Sequence, residues 1–110
     1  MLVRLLIVFG LCLPGMALAG PTSRPDPETG KALAERLCTN CHLVGSVRQE
    51  HANPDVPSFR EIANLPEQTE GAVAARIMLP KHPMPQIPLT KSELSDLAAY
   101  ILSLREPNAH

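Results

Sequence analysis

The run Cys38-Thr39-Asn40-Cys41-His42 constrains this 110-residue chain more than any other stretch. Two thiols three positions apart lie on the same side of a helical turn, so both can add to the two vinyl groups along one edge of a porphyrin. His42 follows at once, and its imidazole can reach the iron from that side as the proximal ligand. The C-x-x-C-H spacing therefore predicts covalent attachment of one c-type haem. A C-x-x-C pair without the histidine would read as a redox dithiol, a disulfide or half of a zinc site. No second cysteine pair is present to complete such a site.

The first residues read as an export signal. Arg4 supplies a positive start, Leu5 to Leu13 is a short apolar run, Pro14-Gly15 breaks it, and Ala17-Leu18-Ala19 is a small-x-small cleavage site. Residues 1–19 are expected to be a cleaved secretory signal peptide, because the apolar run falls short of the about 20 residues a membrane span needs. No stable membrane span is expected afterwards. Cys12 would leave with the signal, and the bulky Leu11 before it is unlike the small residue that precedes a lipidated cysteine. Removing 19 of 110 residues leaves 91, enough for one domain at 20–110 with its core at about 26–105. Loss of Arg4 leaves nine Lys and Arg against 11 Asp and Glu, a formal charge of −2. Nothing in that balance suggests nucleic acid. In an oxidising compartment such as the periplasm a bare C-x-x-C pair would tend towards a disulfide, whereas haem attachment consumes both thiols.

Core arithmetic agrees with a cofactor. Beyond the signal only Phe59 and Tyr100 remain as aromatic side chains, a thin supply for a domain of this size. A large, flat, apolar ring would fill the gap, and its tether would act as a staple of the kind small domains need.

In chain order, Gly20 to Pro25 is a polar lead-in. Asp26-Pro27-Glu28 starts a helix, with Asp26 as cap, Pro27 at the first helical position and Glu28 complementing the dipole. Gly30, Leu33 and Leu37 share a face of that helix, which runs into Cys38. After His42 turn residues dominate, and His51 reads as a solvated loop side chain. Ser58 can cap a short helix holding Phe59, Ile62 and Ala63, stopped by Asn64 and Pro66. Another helix is expected from about Thr69 to Leu79, with Val73, Ala74 and Ile77 inward. The final helix carries a capping box at Thr90 and Glu93. Its stripe is Leu94, Leu97, Ala98, Ile101 and Leu102, with Tyr100 half-buried on the flank and Arg105 suited to the C-terminal dipole.

Between the last two helices, four prolines stiffen the segment from Leu79 to Pro88 around Met84. A weak thioether donor is best presented by a loop that is already rigid. Two rivals could take its place, Met78 with the same thioether and His82 with an imidazole. Met78 lies in an apolar helical segment, where a core methionine is the ordinary explanation, and His82 would give a bis-histidine iron.

A helix bearing Gly30, the C-x-x-C-H run, an irregular segment with a short helix, Met84-Pro85 and a last helix bearing Tyr100 follow one another in the order found in class I monohaem cytochromes c, which the sequence resembles from about Asp26 to Leu104. The resemblance implies an all-α cytochrome c-like fold of three to four helices packed around one covalently bound haem c. It places Gly30 where the first and last helices cross, beside Tyr100, and makes Met84 the sixth ligand to iron, opposite His42. It implies a periplasmic single-electron carrier rather than an enzyme, with redox protein partners, acting as a monomer or an enzyme-associated subunit. Three alternatives stand beside it: a haem subunit or docking partner of a periplasmic dehydrogenase or reductase, a ligand-binding haem sensor, and a thiol oxidoreductase using Cys38 and Cys41.

Overall fold

The computed structural model describes residues 24–45 and 49–108, with Gly10 and Gly15 ahead of them. The expected signal peptide at 1–19 otherwise lies outside the described residues. Four helices follow in order, α1 (Pro27–Leu37), α2 (Phe59–Ala63), α3 (Glu70–Met78) and α4 (Lys91–Ser103), and the described residues contain no strand. The fold is all-α. Among the described residues no helix is long and apolar enough to cross a membrane.

Each helix begins where its capping side chain dictates. Asp26 accepts from the Glu28 amide, Thr69 from that of Ala72, and Ser58 and Thr90 each form a reciprocal capping box with Glu61 and Glu93. Thr69 and Leu79 cap α3 rather than belonging to it.

The two long helices pack directly on each other. A Cβ at Gly30 would lie 1.9 Å from the Asp96 carbonyl oxygen and 2.9 Å from Tyr100 Cβ, so α1 and α4 approach backbone to backbone there. That is the crossing the family resemblance implies, beside the expected aromatic residue. It has a second fastening: the Asp26 amide donates to Asp96 Oδ1 at 2.8 Å. Asp96 is thus buried on α4 with its charge turned to the start of α1. Below the crossing, Leu97, Ala98 and Ile101 of α4 meet Ala34, Phe59, Ala63, Val73 and Ile77 in one core.

Three expectations need correction. Tyr100 is buried rather than half-buried, because its hydroxyl finds the Val44 carbonyl at 3.3 Å and so can leave water. Met78 is not a core methionine but 57% exposed. Val73 and Ile77, four apart, take the inner face of α3, and Met78 sits about 100° further round. Arg105 does not serve the end of its own helix. Its guanidinium donates to the carbonyls of Ala63 and Gln68, joining the tail after α4 to the end of α2 and to the α2–α3 connection.

Candidate functional site

α1 delivers the C-x-x-C-H run at its end. Cys38 is the C-cap, its amide still bonded to the Ala34 carbonyl, and the amides of Cys41 and His42 both return to the Cys38 carbonyl at 3.3 and 3.0 Å. One further turn is thereby wound beyond the helix. It separates the two sulfurs by environment: Cys38 faces the core and is buried, whereas Cys41 is exposed. Burial pushes the Cys38 thiol up to about 11. Thiol exchange proceeds through the thiolate, the form that burial disfavours at Cys38. The thiol oxidoreductase alternative therefore has the wrong electrostatics at Cys38.

His42 is half-buried and its ring is tied at one end. Nδ1 lies 2.7 Å from the Pro57 carbonyl oxygen. A carbonyl can only accept, so Nδ1 carries the proton and the lone pair of the neutral ring sits on Nε2. The ring is also braced by Phe59, whose centroid is 5.4 Å away at 51°. A hydrogen bond from the non-ligating nitrogen to a carbonyl is the arrangement that orients a metal-binding imidazole and raises its basicity.

The segment after the turn has no regular structure of its own, so its carbonyls must find partners elsewhere. The Cys41 carbonyl accepts from the Asn53 amide and that of Leu43 from the Phe59 amide, both at 2.9 Å. The Val44 carbonyl accepts from Tyr100, and the Gln49 side chain serves His42 and Val44. Residues 49–59 and α4 therefore hold the attachment turn from outside.

Met84 lies in the loop between α3 and α4, its amide bonded to the Lys81 carbonyl at 3.0 Å. Its side chain is half-buried and packs against the core cluster that also contains Cys38, Val44 and Phe59. His82, two residues earlier, is exposed and precedes a cis peptide bond to Pro83. Met78 is exposed as well. Of the three candidate donors, the fold brings Met84 alone against the cluster containing Cys38.

These residues fit a covalently held haem. Two thiols stand at the end of a helix, an imidazole offers Nε2 with Nδ1 already engaged, and a thioether packs on the same apolar cluster. Pro57 and Gln49 were not foreseen as part of this site. A carbonyl acceptor has no sequence signature, and a lone glutamine in a loop carries little more. Among the described residues no three His, Cys, Asp or Glu side chains gather as a protein-only metal centre would require.

Comparison with known proteins agrees. Residues 27–105 match the family model for cytochrome c. The chain is 39% identical over 99 residues to a protein named cytochrome c-552 from Bradyrhizobium diazoefficiens, covering 87% of this chain and 93% of that protein. No solved structure is matched with significance. An attachment turn held from outside, a helix crossing closed by glycine and a match across nearly every described residue lead to one conclusion: the chain belongs to the cytochrome c family, an electron carrier whose cofactor is covalently bound haem c.

Proposed function

We propose that this chain is a periplasmic single-electron carrier in which Cys38 and Cys41 would hold a haem by thioether bonds and His42 and Met84 would ligate its iron. The bond from His42 Nδ1 to the Pro57 carbonyl carries the reading, because it leaves Nε2 as the one ring nitrogen with a lone pair to donate. When bound, the haem supplies an iron that accepts and releases one electron.

The chain's own residues set the conditions for that exchange. Pro57 fixes the tautomer and the plane of the His42 ring, so the imidazole need not reorient when the charge at the site changes. Met84 offers a neutral thioether from a segment stiffened by prolines, and an imidazole–thioether pair raises the reduction potential. Phe59 and the core around Cys38 keep water from one side. The signal at residues 1–19 would direct the chain to the periplasm, with cleavage after Ala19 leaving the haem domain at 20–110. Donor and acceptor are redox proteins met in brief encounters.

The test is an optical spectrum of the oxidised mature protein, repeated in Met84→Ala. A weak far-red band from sulfur on ferric haem, abolished by the substitution, is the expected result. A low-spin spectrum without that band would transfer the ligand role to His82, and a high-spin one would replace the carrier by a ligand-binding haem protein. The mass of the mature protein reads the cleavage site and the attached haem together.

A further inference from the structure

Past the turn wound on Cys38, the backbone around His42 depends on groups distant in the chain, and they are of two kinds. The carbonyls of Cys41 and Leu43 are met by the backbone amides of Asn53 and Phe59. The His42 carbonyl and the Val44 amide are met instead by a single side chain, that of Gln49. Its Oε1 accepts from the Val44 amide at 2.8 Å, while its Nε2 donates at 3.3 Å to the His42 carbonyl and more distantly, at 3.5 Å, to that of Thr39. The assignment of the two amide atoms is forced: reversing them would set a donor against an N–H and an acceptor against two carbonyls.

We propose that Gln49 is a positioning residue for the proximal ligand, clamping the backbone on both sides of Leu43, from the His42 carbonyl to the Val44 amide, so that the imidazole is held at its main chain as well as at Nδ1. The inference rests on the reading of His42 as an iron ligand. Its chemistry is specific to an amide. A carboxylate can accept from Val44 but has nothing to donate at neutral pH, and a thioether of similar length can do neither well. Asparagine is one methylene shorter. The ring itself is already oriented by Pro57. What Gln49 adds is the register of the chain that carries the ring, at the point where helical hydrogen bonding has ended.

The test compares Gln49→Met, Gln49→Glu and a control, Gln68→Met, in the ferric holoprotein by NMR. Gln68 is a half-buried amide donating at 3.0 Å to the Ile62 carbonyl, away from the attachment turn. Two signals are read: exchange of the Val44 amide proton and the hyperfine-shifted resonances of the His42 ring. In Gln49→Met, Val44 should exchange about tenfold faster and the His42 resonances should move. In Gln49→Glu, Val44 should stay within about threefold of the wild type, because its acceptor survives, while the His42 resonances still move. Gln68→Met should leave His42 unmoved. The proposal is overturned if Val44 exchange is unchanged in Gln49→Met, or if the His42 resonances shift there no more than in the control. Should Gln49→Met fail to fold, Gln49→Glu decides alone on whether His42 moves. An unshifted His42 ring in the wild type overturns the ligand reading and the positioning role with it, a failure visible before any variant is made.

Discussion

At position 30 the contest is between helix propensity and space, and the distances decide it. Alanine gains about 1 kcal/mol over glycine inside a helix, but its Cβ would stand 1.9 Å from a backbone oxygen of Asp96, which no rotamer change can relieve. Overpacking of that kind costs about 1–3 kcal/mol, occasionally more. Gly30→Ala is therefore expected to lose about 2 kcal/mol or more of stability in spite of its better propensity, read as a lower denaturant midpoint with an unchanged slope. Asp96 is a further residue whose role sequence reasoning missed. It lies off the apolar stripe of α4, yet it is buried and its carboxylate receives the Asp26 amide. Asp96→Ala strands that donor and should cost about 1–2 kcal/mol.

The elements are short, and their ends matter accordingly. α2 has five residues, far below the about 12–15 at which an isolated helix becomes even marginal. It persists because Ser58 and Glu61 close its start and Phe59 is buried in the core. Ser58→Ala and Thr90→Ala should each cost about 1 kcal/mol, measured by thermal or chemical unfolding of the holoprotein. The carboxylates in these caps predict a pH dependence whose sign follows from their partners. Hydrogen bonds from Thr29 and the Glu28 amide lower Asp26, and those from the amides and hydroxyls of Ser58 and Thr90 lower Glu61 and Glu93. A lowered native value gives stability that is present above the ordinary 3.8 and 4.5 and is lost as pH falls through the native values. Unfolding followed downward from pH 5 should show this loss, and replacing Glu61 and Glu93 by glutamine should flatten it. Tyr100 has the opposite sign, since burial raises it, so its contribution is lost as pH climbs beyond 10.

At the scale of the molecule, closure depends on joining the chain's end to its middle. Arg105 reaches the carbonyls of Ala63 at the end of α2 and of Gln68 in the α2–α3 connection, and the Glu106 amide donates to Asn64 Oδ1 at 2.9 Å. A nearby ion pair, Arg60 with Glu106 at 3.1 Å, lies in solvent with more than half of each side chain exposed. The two arginines should therefore behave differently. Arg105→Met removes charge-assisted bonds to carbonyls and should cost about 1–2 kcal/mol, whereas Arg60→Met should cost less than about 0.5 kcal/mol, because exposed pairs contribute little. Denaturant midpoints of the two variants give the comparison, and added salt should narrow the smaller effect further.

Local patterns in the chain were enough for the four helices, the N-caps of three of them and the order of the haem motif, because each depends on neighbours within a turn or two: a side-chain oxygen two or three residues before an amide, apolar groups every three or four positions, two cysteines and a histidine in one turn. The glycine crossing was legible only through family resemblance, since nothing local says what Gly30 faces. Periodicity misjudged Met78 and Tyr100 because exposure depends on what covers a face, and Tyr100 is buried only where Val44, 56 residues earlier, supplies an acceptor. The anchoring of His42 by Pro57, its clamping by Gln49, the capture of Asp26 by Asp96 and the latch at Arg105 belonged wholly to the tertiary structure. Every one of them joins a side chain to a backbone group, and a backbone group is the same at every residue until the fold brings one particular copy within 3 Å or so.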